Sequence, residues 1–295
     1  GYDLFLQREE VRFEKLFPCL QKDYSSFSSN FNKYLLRSLP VLALGSSLFD
    51  ILGRYYQPEK LRLAFTFQSK YLGMSPWECP GAFAIIPYIE HKYGIYHVQG
   101  GLNQISLAMR KAAEKHGARF YTGTPVQEII VKNRTAQGVM LAGGEVVEAD
   151  EVIINADFAY AMSHLFAEGV LKKYARDQLQ KKRYSCSTFM LYLGLNKILD
   201  LPHHNIFFAG DYRSNIDNIF TDKILSADNS FYLQNPSITD PTLAPAGKSA
   251  VYILVPVANN SSGIDWEQKK ESFRDLVLDT VERRAQLPGL RESIE

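Results

Sequence analysis

Tyr96-His97-Val98-Gln99-Gly100-Gly101-Leu102-Asn103, running on without interruption to Asn155-Ala156-Asp157, is the stretch whose reading decides the fold. Ile95 to Val98 is short and β-prone, and two adjacent glycines let the backbone turn sharply into a helix beginning near Asn103 and ending at His116-Gly117. Strands are expected at 119–121, 126–132 and 137–141, the last turning at Gly143-Gly144 into 145–148. A buried strand at 152–154 then stops at Asn155-Ala156-Asp157. A glycine turn, a helix, a meander and a buried strand make a mixed α/β unit. The chain contains no G-x-G-x-x-G turn, the element that seats a dinucleotide pyrophosphate on a helix N-terminus.

Outward toward the N-terminus the pattern becomes helical. Apolar residues from Leu4 to Leu20 recur at helical spacing with Arg8, Glu9, Glu10 and Glu14 between them, and Pro18 is expected to end that helix. A Ser-rich connector at 25–29 leads to further helical pattern over 31–56, and Pro58-Glu59 opens another helix through Phe65 and Tyr71. Residues 81–93 are apolar on one face, with a kink expected at Pro87 and a stop at Gly94. Outward toward the C-terminus, helix is expected from Asp157 to about Lys182. Strands follow at 185–195, 205–208, 230–234 and 250–255, and a charged amphipathic helix at 266–286. The Pro-, Asp- and Thr-rich loop 235–248 has functional character.

Composition narrows the function classes. Lys plus Arg is 33 against 32 for Asp plus Glu, a formal charge of +1 that gives nucleic acid no electrostatic purchase. Aromatic residues make up 13% of the chain, with 17 Tyr and 18 Phe, which suits either the walls of a site for a large apolar ligand or a big core. Cys19, Cys79 and Cys186 are scattered and odd in number, so neither a disulfide framework nor a zinc site is indicated and a reducing cytoplasm fits. The apolar stretch 35–52 carries Arg37, Pro40, Gly45 and Asp50; it can lie on a bilayer, with Lys33 and Arg37 at lipid phosphates, or pack inward, but it cannot cross.

Tyr71-Leu72-Gly73-Met74-Ser75-Pro76, Ile85-Ile86-Pro87-Tyr88-Ile89-Glu90 and Gly94-Ile95-Tyr96-His97-Val98-Gln99-Gly100-Gly101-Leu102 resemble bacterial-type carotenoid desaturases, among them phytoene and dehydrosqualene desaturases. The likeness continues in order through Tyr184-Ser185-Cys186-Ser187-Thr188-Phe189, His204-Asn205-Ile206-Phe207-Phe208 and Asp240-Pro241-Thr242-Leu243-Ala244-Pro245-Ala246-Gly247. It implies an FAD-dependent flavoprotein of the amine-oxidase-like class: an α/β fold with a split FAD-binding domain and an inserted substrate domain of helices and antiparallel sheet. Residues 1–93 are then expected to be the helical, membrane-facing part of the substrate domain, 94–160 the second FAD-binding segment, and 161–295 substrate domain with its sheet. The family's dinucleotide turn and its later glycine-rich flavin segment are expected outside this stretch, so the chain alone is expected to hold FAD poorly and to be inactive. The activity implied is dehydrogenation of a long linear isoprenoid in carotenoid biosynthesis, by a peripherally membrane-associated cytoplasmic enzyme of open oligomeric state. Two other functions share the fold: a carotene isomerase-type sibling, and a non-redox escort of prenylated partners similar to Rab escort and GDP-dissociation-inhibitor proteins.

Candidate residues carry a plainer reading beside the functional one. Gly100 and Gly101 would let the backbone approach the isoalloxazine ring, as the resemblance implies, or are simply a strand-to-helix turn. Val126 would begin the strand that offers backbone groups to the adenine while also being a core valine. Asn155, Ala156 and Asp157 end a strand where α/β sheets gather ligands, or cap the next helix. Glu90, His91, Tyr96 and His97 flank the glycine turn as polar groups for acid–base work; Glu90 and His97 are the catalytic candidates, against a solvated helix end. His203-His204 lacks metal-ligand spacing and no metal is implied.

Overall fold

Helix α1 (Tyr2–Leu20) buries a stripe of Phe5, Glu9, Arg12, Leu16 and Cys19, the three-to-four-residue spacing of one helix face. Pro18 does not end it; so near the C-terminus the missing N–H costs a single intrahelical bond, and the helix runs two residues further. Glu9, which the sequence sets between the apolar residues, is fully buried against Arg12. The computed structural model describes residues 1–26, 29 and 32–295. Phe27 and Ser28 of the connector, and Phe31 at the expected start of the second helical stretch, lie outside the described residues.

Short helices follow: α2 (Lys33–Ser38), capped by the Asn32 side chain, α3 (Leu48–Gly53), opened by a reciprocal Ser47–Asp50 capping box, and α4 (Glu59–Ala64) after Pro58. Phe5, Leu48, Ile51, Leu52, Tyr56, Cys79, Ala84 and Tyr88 form one apolar cluster. The stretch 35–52 therefore divides: Leu48, Ile51 and Leu52 are buried, whereas Leu36, Leu39 and Leu44 stay exposed. The segment 81–93 forms a 3-10 turn (Gly81–Ala84) that runs into α5 (Ile85–Tyr93), with Pro87 in the first turn of α5, where its N–H would have no partner within that helix. Gly94, at φ +83°, ends that helix.

The chain divides into two compact units, 1–104 with 185–295, and 105–184. The second contains the body of α6 (Asn103–Lys115) and an antiparallel meander of β1 (Val126–Lys132), β2 (Thr135–Leu141) and β3 (Val146–Glu148). Gly138 makes the close pairing possible: at φ +142°, a Cβ there would lie 2.1 Å from the Val147 carbonyl oxygen. The expected strands at 119–121 and 152–154 are not formed; among the described residues neither has a ladder partner, and Ile153 is 91% exposed. The long helix expected after Asp157 is broken into α7 (Phe158–His164), a 3-10 turn (Lys172–Tyr174) and α8 (Arg176–Gln180), with Gly169 at φ +81° in the break.

The sheet of the first unit comprises β4 (Ser187–Leu195), β5 (His204–Phe207), β6 (Phe231–Gln234) and β7 (Ser249–Val257), all antiparallel in the order β4-β7-β6-β5. Between β5 and β6 lies α9 (Tyr212–Asp217), and α10 (Trp266–Arg284) follows β7. One sheet face presents Leu195, Val251, Ile253, Val255, Phe231 and Leu233 to Phe273, Val277, Leu278 and Val281 of α10. Burying each such side chain is worth about 1.5–3 kcal/mol, so this contact makes a rigid platform. Side chains alternate along a strand, so the opposite face carries Met190, Tyr192, Tyr252, Leu254, Tyr232, His204 and Ile206. All seven of these are half-buried or exposed, in contrast to the buried residues that face α10.

Candidate active site

The turn at Gly100-Gly101 is built as the sequence suggests. Both residues have positive φ, +79° and +87°, a conformation costly for any residue with a Cβ. The Gly101 N–H donates to the Val98 carbonyl at 2.8 Å, and the Gly101 carbonyl accepts from the Gln104 N–H at 3.1 Å, joining the turn to α6. Both glycines are partly exposed. A Cβ on Gly101 would meet only Leu243 Cδ2, at 3.5 Å, and one on Gly100 would press on the flexible Gln104 side chain. The backbone here is open on one side rather than plugged.

A partner from far along the chain locks the turn. Asp240 follows β6 in the loop 235–248, and its Oδ2 accepts from the Gly100 N–H at 2.6 Å and lies 3.1 Å from His97 Nε2. Oδ1 accepts from the Thr242 hydroxyl at 2.5 Å and the Thr242 N–H at 3.1 Å, opening a 3-10 turn at Pro241. The Thr242 hydroxyl, then the Gly100 N–H, hold the carboxyl well below the usual carboxylate range, against the opposing effect of burial. Asp240 therefore stands as an anion, 4% exposed, at the centre of the site.

From this point a polar and aromatic path leads onto the open sheet face. The His97 ring lies 5.1 Å from that of His203, which stacks on His204 at 4.2 Å. His203 Nδ1 is 2.9 Å from the Thr239 hydroxyl, and His204 Nδ1 is 2.5 Å from the Tyr232 hydroxyl. Tyr232 packs on Tyr252, and Tyr252 on Tyr192. Burial first, then the neighbouring imidazoles, lowers the pKa of His203 and of His204, so both favour the neutral form. Burial likewise pushes the Tyr232 and Tyr252 phenols up, and with Glu90 and Tyr252 it raises that of Tyr71 to about 12.

The structure thus brings together Gly100, Gly101 and His97 of the expected residues. Glu90 instead accepts from the Gln68 amide at 2.7 Å at the end of α5. In the other compact unit, Val126 opens β1 opposite Leu141 and is 39% exposed, so it is not the core valine of the plainer reading. Asn155 and Ala156 are exposed and follow no strand, while the Asp157 side chain caps α7 by accepting from the Tyr160 N–H at 2.7 Å. Sequence reasoning about single residues missed Asp240, Thr242 and Tyr232. A signal was present in Asp240-Pro241-Thr242, an Asx-Pro turn in the loop already marked out, but spacing could not show that it meets a turn 140 positions earlier. Two clefts lie elsewhere, one of about 590 Å³ lined by Lys223, Ile264 and Phe273 and one of about 960 Å³ lined by Phe166, Leu171 and Tyr174. Among the described residues no cluster of His, Cys, Asp and Glu could hold a metal ion.

A family model described as flavin containing amine oxidoreductase matches residues 4–188, more than half of the chain and including the paired-glycine turn. The chain belongs to this family. Within it, the chain is 54% identical over 295 residues to the 4,4'-diapophytoene desaturase (4,4'-diapolycopene-forming) of Methylomonas sp, covering all of the chain and 58% of that protein. It is 32% identical over 305 residues to the 4,4'-diapophytoene desaturase (4,4'-diaponeurosporene-forming) of Staphylococcus haemolyticus, with 100% and 60% covered. The fold is similar to that of an oxidoreductase from Methanosarcina mazei, with a TM-score of 0.56 at 19% identity over 90% of this chain and 58% of that one. The chain thus spans somewhat more than half the length of these relatives.

Membership implies FAD, and the open glycine turn suits it. A planar ring can approach Gly101 closely, and Gly100 once the flexible Gln104 side chain moves aside, and the Asp240 contact fixes the turn's shape in advance. The mixed α/β architecture expected from the sequence is the one observed.

Proposed function

We propose that this chain carries the substrate platform and one flavin-contacting segment of an FAD-dependent desaturase that introduces double bonds into a long linear isoprenoid such as phytoene or dehydrosqualene. The observation that carries this reading is the continuity, within one compact unit, of the Asp240-latched glycine turn with an open sheet face made of tyrosines and aliphatic side chains. The two similar diapophytoene desaturases support the same substrate class.

FAD, when bound, supplies a hydride acceptor. Gly100 and Gly101 would hold the ring by backbone approach, and in this reading Val126, Asn155, Ala156 and Asp157 belong to the same flavin-contacting segment, 94–160. Residues 1–93 and 161–295 serve the substrate. A linear isoprenoid hydrocarbon offers no polar handle, so its position must be set by shape and apolar contact along Met190, Tyr192, Tyr252, Leu254 and Ile206. Tyrosine faces also favour a carbon skeleton on which positive charge develops, because the ring quadrupole is negative at its face. Glu90 and His97 remain the acid–base candidates.

Peripheral attachment of the protein to the cytoplasmic face of a membrane belongs to the same proposal. Leu20, Leu36 and Leu44, exposed by 72%, 61% and 78%, accompany Lys22, Lys33 and Arg37, and Lys22 and Lys33 both lie over the Tyr34 ring. Apolar side chains with a cationic surround suit an anionic lipid surface. No helix among the described residues is long and apolar enough to cross a bilayer.

The test is pigment formation in hosts that make a thirty-carbon or a forty-carbon colourless precursor. Conjugated product in either supports desaturation, and colour in neither argues against it. Failure of the holoenzyme to float with anionic liposomes would remove the membrane part alone.

A further inference from the structure

Desaturation removes two hydrogens from adjacent carbons, and only one can leave with its electron pair. The other must leave as a proton, and the site holds one basic side chain on the glycine turn itself. His97 lies three positions before Gly100, half-buried, with Nε2 3.1 Å from Asp240 Oδ2. Among the described residues the hydrogen-bond partners of the Asp240 carboxylate are Gly100, Thr242 and His97, so no Lys or Arg among them spends its charge. With Nε2–H donating to the carboxylate, Nδ1 is the nitrogen that keeps its lone pair. His tautomers follow such partners.

We propose that His97 is the residue that takes the substrate proton, and that Asp240 is the positioning residue that orients His97 and latches the Gly100-Gly101 turn together. The inference rests on the desaturation reading above. In the step, one allylic C–H bond gives up hydride to FAD as oxidant, and the C–H bond on the neighbouring carbon breaks heterolytically. Its electron pair becomes the new π bond, and its proton passes to His97 Nδ1. The imidazolium so formed is stabilised by Asp240, which stays ionised. The adjacent His203 is held toward neutrality by burial and by the imidazoles beside it, so it does not oppose that charge. One carboxylate thus sets two things at once: the turn that meets the ring and the base that completes the reaction.

The experiment uses holoenzyme in three forms, wild type, His97→Ala and Asp240→Asn, with a linear isoprenoid precursor in mixed micelles. Polyene absorbance, bound FAD, melting temperature and the response to added imidazole are read for each. His97→Ala should keep its FAD and its melting temperature, lose on the order of 10²-fold or more in turnover, and regain turnover as imidazole is added. Asp240→Asn should loosen FAD and slow turnover together, because in either orientation its NH2 group faces a backbone N–H, that of Gly100 or that of Thr242. Undiminished turnover in His97→Ala, or a loss that imidazole does not restore, overturns the proposal for His97. Unchanged FAD affinity in Asp240→Asn overturns the latch. Polyene formation by wild type is the internal control: its absence would count against desaturation itself, not against the pair.

Discussion

Replacing Gly101 by Ala separates the cost of a turn from the cost of a cofactor site. At φ +87° an L-residue is strained by about 1–2 kcal/mol. No steric term adds to this, since the new Cβ would find only Leu243 Cδ2, at an ordinary 3.5 Å. The fold should therefore survive, with the melting temperature lowered by about 2–4 °C for each kcal/mol. A planar ring resting on this backbone would fare worse. A methyl group interposed at the contact lifts the ring by about 1 Å, enough to forfeit a quarter to a half of each affected dispersion contact. A displacement of that size is worth about 10²-fold in rate when reacting atoms must be aligned. FAD affinity is read by titrating apoprotein against flavin fluorescence, and turnover by polyene absorbance. Gly101→Ala protein that melts within a few degrees of wild type yet keeps wild-type FAD affinity and turnover would refute the placement of the ring.

Three further outcomes follow from the packing. Arg12→Met strands the fully buried Glu9 carboxylate and should cost about 3–5 kcal/mol in urea unfolding, whereas the double variant with Glu9→Leu should recover most of it. Burial pushes the Lys70 ammonium, which lies over the Tyr212 ring, down from 10.5 to about 8, a cost of about 3 kcal/mol at neutral pH. Between those values the unfolded chain binds more protons than the folded one, so wild-type stability should rise with pH, and the stabilisation gained by Lys70→Met should shrink across the same window. Unfolding curves with no such convergence would contradict this. Gly138→Ala should disrupt the meander, since its Cβ would collide with the Val147 carbonyl; hydrogen exchange in β2 and β3 should accelerate, and unchanged protection there would contradict the pairing.

Much of the fold was legible in local pattern. The meander strand 126–132, the α6 start at Asn103 and the long β4 and α10 elements follow from alternation, turn glycines and helical spacing, which are properties of neighbouring residues. What failed were elements whose formation depends on partners. Residues 152–154 look like a buried strand because three β-branched residues stand together, yet a strand needs a ladder, and none is present beside them among the described residues. Pro18 was misjudged because the cost of proline depends on which turn it occupies. The site was half legible. Gly100, Gly101 and His97 carry their signal in one short segment, while Asp240 meets them only because β6 and its following loop return to that place.

In the proposed enzyme an apolar isoprenoid on the open sheet face reacts with a flavin seated at Gly100-Gly101. The most direct measurement is anaerobic mixing of oxidised holoenzyme with phytoene or dehydrosqualene in a stopped-flow spectrophotometer. The flavin absorbance should bleach at the same rate as longer-wavelength polyene absorbance appears, and both should slow together in Gly101→Ala. Binding of the isoprenoid without bleaching, or polyene formation while the flavin stays oxidised, would contradict the account.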